Sequence, residues 1–425
     1  MPTDLPLQTG FSRQTGTLSC ENISATDLAK QYGTPLYVYS HKAISHAFAA
    51  WDSAFGDAPH LICYAVKANS NIAILRLLAS MGSGFDIVSG GELERVLAAG
   101  GNAAKIVFSG VGKSPAEISR ALEVGIRCFN VESSTELTLI ERVATERNEV
   151  ARISIRINPD VDAKTHPYIS TGLKENKFGV NAEQAVKLYR YAHEASHLEP
   201  VGVDCHIGSQ LTDIEPFIES VQHLRNLVLE LRDWGVNIEH IDIGGGLGIQ
   251  YANETIPSPS DLISAVRSEL DPLGAELMIE PGRSIVGNAG VLLTQVLVEK
   301  AGDTKNFAIV DAAMNDLLRP ALYSAWQNIV EVVTTDGANR KTYDIVGPVC
   351  EKGDFLGTER DLVITEGDFL AVMGAGAYSF SMSSNYNSRP RAAEVLVKGS
   401  DSYVIRHREA VTALWRDETI PEALL

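Results

Sequence analysis

The sequence predicts an α/β protein, a (β/α)8 TIM-like barrel followed by a mostly-β C-terminal domain. Three observations predict it. Eight short apolar runs alternate with longer amphipathic segments between residues 61 and 282. Polar or charged residues close nearly every run. After about residue 290 the long helical segments give way to apolar runs separated by turn residues. Eight strand–helix repeats suit a closed barrel better than an open sheet, and a barrel gathers its chemistry at the C-terminal ends of its strands.

In chain order the runs are LICYAV, GFDIVS, KIVFSG, IRCFNV, ARISIRIN, VGVDCHIG, HIDIGGG and ELMIEPG. Short, apolar and rich in β-branched residues, they read as buried parallel strands. After the first run, Ile74, Leu77, Leu78 and Met81 fall at helical spacing, with Ser70 or Asn71 placed to cap the start and Gly82 the end. AEQAVKLYRYAHEA and FIESVQHLRNLVLELRDWG carry the same kind of period. One rim of the barrel would then present Lys67, Asp86, Ser89, Asn130, Arg156, Asn158, His206, Gly244 to Gly246 and Glu280. The runs VLLTQVLV, NFAIVDAA, KTYDIVG, DFLAVMG, AAEVLVKG and SYVIRH predict the second domain. The expected division is 1–35 packing with the β domain, 36–282 as the barrel and 283–425 as the β domain.

Composition narrows the function. A net charge of −18 over 425 residues would repel a phosphate backbone, so a nucleic-acid partner is not expected. No basic block, cationic amphipathic helix or bilayer-length apolar stretch points to a membrane. The opening MPTDLPLQTGFSRQTG lacks the charged-then-apolar pattern of a secretory signal. Cys20, Cys63, Cys128, Cys205 and Cys350 are an odd number, widely spaced, which reads as reduced thiols in a cytoplasmic protein.

Lys67 is the residue that asks for chemistry. A strand-end lysine commonly snorkels to water, but the neighbours of this one, in CYAVKANSN, are small or apolar. A dehydrated amine is more readily neutral and can form a Schiff base with an aldehyde, of which pyridoxal 5'-phosphate is the common cofactor example. That cofactor also needs an anion cradle, a partner for its pyridine nitrogen and something stacked on its ring. DIGGGLG, Asp242 to Gly248, offers the cradle, because consecutive glycines let backbone amides approach an anion. It does not fit a dinucleotide fingerprint, since the position that should hold the third glycine is Ile249. Glu280, in IEPGRS, ends the last barrel strand, where a carboxylate suits the ring nitrogen and a pairing with Arg283 is the competing reading. His206, in CHIGSQ, suits either the ring's face or a structural role.

These residues stand within longer motifs. YAVKANSN, FDIVSGGELERVLAAG, THPYISTGLKENKFGV, HIGSQ, GGGLGIQY, EPGRSIVGNAG, VGPVCEKGDFLG and GAGAYSFSMSSNYNSRPRAAEVLV occur in the order found in one family. From about residue 30 to beyond residue 400 the chain resembles the diaminopimelate decarboxylases, of the alanine-racemase-like (fold-type III) class of pyridoxal-phosphate enzymes. The resemblance implies decarboxylation of meso-2,6-diaminopimelate to L-lysine. It implies that Lys67 carries the cofactor beside Asp86, and that His206 stacks on the ring with Ser209 nearby. Gly245, Gly246 and the Glu280–Gly282–Arg283 turn would hold the phosphate and ring nitrogen. Arg283, Arg319, Tyr323 and Glu351 would bind substrate, Tyr378 would touch cofactor and substrate, and Cys350 and Glu351 would reach the other subunit's site in a homodimer. On the residues alone, Arg319 and Tyr323 equally suit a surface helix pair, Cys350 an ordinary buried thiol, and Tyr378 a space-filler among glycines. An ornithine or arginine decarboxylase would want an acidic distal pocket in place of the two arginines. A racemase would want an arginine at Glu280, and a non-catalytic cofactor carrier of this fold would lack the β domain.

Overall fold

The computed structural model describes residues 7–161, 177–335 and 340–424. Contacts divide the chain into two units, Ser45–Gln250 with Glu254–Ile285, and Met1–Ile44 with Tyr251–Asn253 and Val286–Leu425.

The first unit is the barrel. Its strands are His60–Ala65, Gly84–Ile87, Ile106–Phe108, Cys128–Val131, Ala151–Ile157, Leu198–Cys205, His240–Asp242 and Glu276–Ile279. They close in chain order, and the last joins the first through Leu277 opposite His60 and Ile279 opposite Ile62. Each coincides with one of the eight apolar runs. The helix after the first strand is Ile72–Ser80; Asn71 caps it, its side chain accepting from the Ala73 amide at 3.0 Å. Its buried face is Ile74, Leu75 and Leu78, and Met81 is already the C-cap. Ser89, expected on the functional rim, follows the second strand and is a helix cap. Its Oγ accepts from the Glu92 amide at 3.2 Å and starts Gly90–Ala98. The two longer periodic segments form Ala182–Glu194 and Glu215–Asp233.

Strand side chains alternate between faces, and the interior of this barrel uses that alternation to stack two chemically different layers. The lower layer is apolar, with Leu61, Cys63, Val107, Cys128, Val201 and Met278 packed together. His240 joins it, its Nε2 3.8 Å from the Cys128 sulfur. Gly202 makes room for that ring, since a Cβ there would lie 2.0 Å from His240 Nε2. Two residues beyond Val107, Cys128, His240 and Met278 stand Ser109, Asn130, Asp242 and Glu280, and Asp86, Arg156 and Asp204 on other strands are buried as well. The period-two rhythm that builds an oily floor thus builds a polar ring above it.

The second unit is a nine-stranded sheet. Its main path runs Phe355–Leu362, Lys341–Val346, Asn306–Val310, Gly290–Lys300, Leu36–Ser40, Ala393–Lys398 and Asp401–Arg406; Phe369–Val372 pairs with Gly290–Lys300 and with Ile329–Glu331. The expected start of the barrel at residue 36 is corrected by this pairing. Leu36–Ser40 is a central strand here, antiparallel to Gly290–Lys300 and parallel to Ala393–Lys398. Its residues are buried throughout, and such a run looks the same in either sheet until its partners are known. The N-terminal residues form a small antiparallel sheet, Phe11–Gln14, Thr17–Cys20 and Ile23–Ser24. Leu18 and Leu28 share a core with Val38, Val291, Leu293 and Val395. Among the described residues no helix is long and apolar enough to cross a membrane.

Candidate active site

In the barrel unit, Lys67 lies in a short turn, Val66–Ala68, directly after the first strand. Its Nζ is 2.6 Å from Asp86 Oδ2; the carboxylate is fully buried and the lysine side chain 34% exposed. The sequence had suggested an apolar, dehydrated amine. The structure gives it a buried carboxylate instead, because Asp86 lies in the neighbouring parallel strand opposite Ala65, two residues before the lysine.

Glu280 is buried at the end of the eighth strand. Asn130 Nδ2 at 3.3 Å and Ser109 Oγ at 3.4 Å both donate to its Oε1, and Asn130 also donates to Ser109 Oγ at 3.1 Å. Burial, and then the nearby carboxylates of Asp86, Asp242 and Asp204, push its proton affinity well above the usual carboxylate range, while Lys67 opposes them.

His206 follows the sixth strand. The Gly245 amide donates to its Nδ1 at 3.0 Å, which places the ring hydrogen on Nε2. Burial, with Arg156 and Lys67 nearby, drives its pKa well down, so the ring is neutral. Arg156 fixes this loop by donating to the His206 carbonyl at 3.2 Å and to Glu132 at 3.2 Å. Glu132 also receives the amides of Gly110 at 3.1 Å and Gly179 at 3.0 Å.

The glycine turn is shaped by close approach. A Cβ on Gly245 would lie 2.1 Å from the Glu280 carbonyl oxygen, and one on Gly246, whose φ is +118°, would lie 2.5 Å from the Gly208 oxygen. The Gly244 amide is committed to Asp242 Oδ1 at 2.9 Å and that of Gly245 to His206. Gly246's amide donates to no described residue, so the cradle is narrower than three consecutive glycines suggested. Gly282 packs on Ala68 and Ala65, where a Cβ would come within 2.9 Å of the Ala68 Cβ. Arg283 donates to Ser209 Oγ at 3.0 Å.

In the sheet unit, Arg319 and Tyr323 bound a short helix. Arg319 is buried, its guanidinium 4.6 Å from the centroid of the Tyr251 ring, so it is not half of a surface pair. Cys350 is exposed while the other four cysteines are buried, which rules out an ordinary core thiol. Its backbone amide donates to Asn387 Oδ1 at 3.2 Å, and the neighbouring Glu351 accepts from the Tyr386 hydroxyl at 2.8 Å. Tyr378 holds φ at +53°, a left-handed conformation costing a bulky residue about 1–3 kcal/mol, which mere space-filling would not require. Residues 165–176 of the THPYISTGLKENKFGV motif lie outside the described residues.

One rim therefore offers an amine, a carboxylate held by neutral donors, a neutral imidazole and a backbone surface from which side chains are excluded. That set fits pyridoxal phosphate. Ser109, Glu132 and Asp204 were not anticipated as site residues. Ser109 and Asp204 were visible only as polar residues at the ends of their apolar runs.

Residues 41–287 match the model of the pyridoxal-dependent decarboxylase family's pyridoxal-binding domain. The diaminopimelate decarboxylase of Vibrio cholerae is 56% identical over 96% of this chain and 98% of its own length. The crystal structure of the Helicobacter pylori enzyme complexed with L-lysine is 47% identical, with a TM-score of 0.90 over 92% of this chain and 98% of that one. A diaminopimelate decarboxylase structure from M. jannaschii, also in complex with L-lysine, is 40% identical, with a TM-score of 0.94 over 98% of this chain and 99% of that one. The chain belongs to the diaminopimelate decarboxylase family of pyridoxal-dependent decarboxylases.

Proposed function

We propose that this chain converts meso-2,6-diaminopimelate to L-lysine and carbon dioxide, as a cytoplasmic homodimer whose two sites share residues across the interface. The observation that carries the reading is the rim itself, where Lys67, Asp86, His206 and Glu280 converge. Pyridoxal phosphate, when bound, supplies an electron sink for the bond pair left on carbon as carbon dioxide departs.

The side chains divide the remaining work. Lys67 would tether the cofactor, with Asp86 beside it as counter-ion and proton acceptor. Glu280, held by Ser109 and Asn130, would keep the ring nitrogen protonated. The neutral His206 face would lie on the ring without opposing that positive charge. Gly246, with Gly245, Gly282 and the Ser209–Arg283 pair around it, would hold the phosphate end.

The substrate carries an amino and a carboxylate group at each end, so one end must be recognised while the other reacts. Arg283 and Arg319 suit the distal carboxylate, and Glu351 the distal ammonium, with Tyr323 and Tyr378 completing the pocket. Cys350 of the partner chain would deliver a proton to the carbon that lost its carboxylate, and its thiol would be reprotonated from solvent. The exposure of Cys350 supports that role, since a donor offered to another subunit must lie on the surface.

Recognition of the distal carboxylate predicts specificity. Lysine and ornithine lack it and would forgo that charged contact, a loss that discriminates by roughly 10⁴-fold. Carbon dioxide release measured in parallel from diaminopimelate, ornithine and arginine tests the reading. Turnover confined to diaminopimelate is expected; preference for either basic amino acid refutes it.

A further inference from the structure

The polar ring holds more carboxylates than it has cations. Asp204, Asp242 and Glu280 are all buried, and an oxygen from each lies within 4.8 Å of the others. Asp86 is a fourth, and it is the one that carries the Lys67 ammonium. Arg156 and Arg127 are the other cations that act on the ring; the donors of Arg156 go to Glu132 and to the His206 carbonyl, and Arg127 pairs with Glu276. Like charges this close cannot all be ionised in a buried setting, so the ring keeps a proton.

Hydrogen bonding decides which residue keeps it. Glu280 receives two donors, and Asp242 receives the Gly244 amide. Asp204, 1% exposed, receives none among the described residues, and its Oδ1 is buried without a partner. Asp204 sits directly opposite Asp242 on the adjacent strand, with Arg156 opposite on its other side. A carboxylate without donors is the least supported as an anion, and as an acid it becomes a donor beside an acceptor.

We infer that Asp204 is a neutral, protonated carboxyl at neutral pH, and that by holding this proton beneath the site it spares Asp242 and Glu280 one more like charge. The charged and titratable groups facing Asp204 are Asp242, Arg156, Glu132, Asp86 and Glu280, with Tyr189, Cys128 and Cys205. Burial and then Asp242 push its proton affinity well up, and Arg156 is the chief opposing influence. Asp204 thus acts through its neighbours as a positioning residue for charge. Its consequence for Glu280 rests on the cofactor reading above; its own protonation does not.

The test is infrared spectroscopy of the purified protein, with and without pyridoxal phosphate, in water and in deuterium oxide. A deuterium-sensitive carboxylic-acid C=O band is expected in the wild type at neutral pH in both forms. Asp204→Asn should remove one carboxyl's share of it, leaving what other buried carboxyls such as Glu92, raised by burial to about 7, contribute. Asp242→Asn, which removes the nearest like charge, should leave a band that titrates away at lower pH than in the wild type. A wild type without the band overturns the inference, as does a band left undiminished by Asp204→Asn or one that titrates unchanged in Asp242→Asn. A tightly held divalent metal at one per chain in the purified protein also overturns it, because a cation would then balance the ring in place of the proton. None of these readouts uses turnover, so failure of the decarboxylase reading would be seen separately.

Discussion

Gly245→Ala is the sharpest test of how the glycine turn is built. An added methyl would stand 2.1 Å from the Glu280 carbonyl oxygen and 2.9 Å from its carbon, where real Cβ atoms essentially never come within 3.0 Å. Gly245 does not need a left-handed φ, so the effect is steric rather than conformational. To relieve the contact, the turn or the end of the eighth strand must move by about 0.9 Å. Two groups move with it: the Glu280 carboxyl, and His206, whose Nδ1 is held by the Gly245 amide. Overpacking of this kind costs about 1–3 kcal/mol of stability, and displacing reacting groups by about 1 Å costs on the order of 100-fold in rate. The assay is absorbance titration of cofactor-free protein with pyridoxal phosphate, urea unfolding, and turnover at saturating cofactor. Gly112→Ala is the control, since a Cβ there meets nothing within 4 Å. If Gly245→Ala behaves like Gly112→Ala in cofactor affinity and turnover, the close approach has no role and the site is assembled differently.

Lys67→Ala should lose both the absorbance of covalently held cofactor and all turnover; a variant that keeps both would remove the lysine from the mechanism. Cys350→Ala should slow turnover while leaving cofactor bound, and an unchanged rate would place the proton donor elsewhere. The depressed pKa of His206 carries a signed pH effect. Below about pH 6.5 the unfolded imidazole takes up a proton that the folded one refuses, so stability is lost as pH falls, by up to about 1.4 kcal/mol per pH unit. Urea midpoints of cofactor-free wild type and His206→Asn, compared across that range, should converge toward acid pH; a constant difference would show that the folded ring takes up its proton as readily as the unfolded one.

Much of the architecture follows from local pattern. The eight barrel strands and the helices following the first, fifth and sixth of them were legible because a buried strand and an amphipathic helix each leave a period in the chain. Lys67, His206 and Glu280 were legible because a charged or titratable residue ending an apolar run is conspicuous. Leu36–Ser40 was misassigned because strand partners are chosen at long range, and nothing in LYVYS names Gly290–Lys300 as its neighbour. Phe355–Leu362 was missed because its burial does not alternate and Glu359 interrupts it with a φ of +56°.

The charge state of the site belongs to the tertiary structure. The sequence by itself determined which strands exist, which residues end them, and which motifs accompany them in one family. Only the closed barrel sets Asp86 against Lys67, gives Glu280 the donors Ser109 and Asn130, and brings Asp204 and Asp242 side by side beneath them. Electrostatic and hydrogen-bond energies depend on distance and on the exclusion of water, and neither is a property of position along the chain.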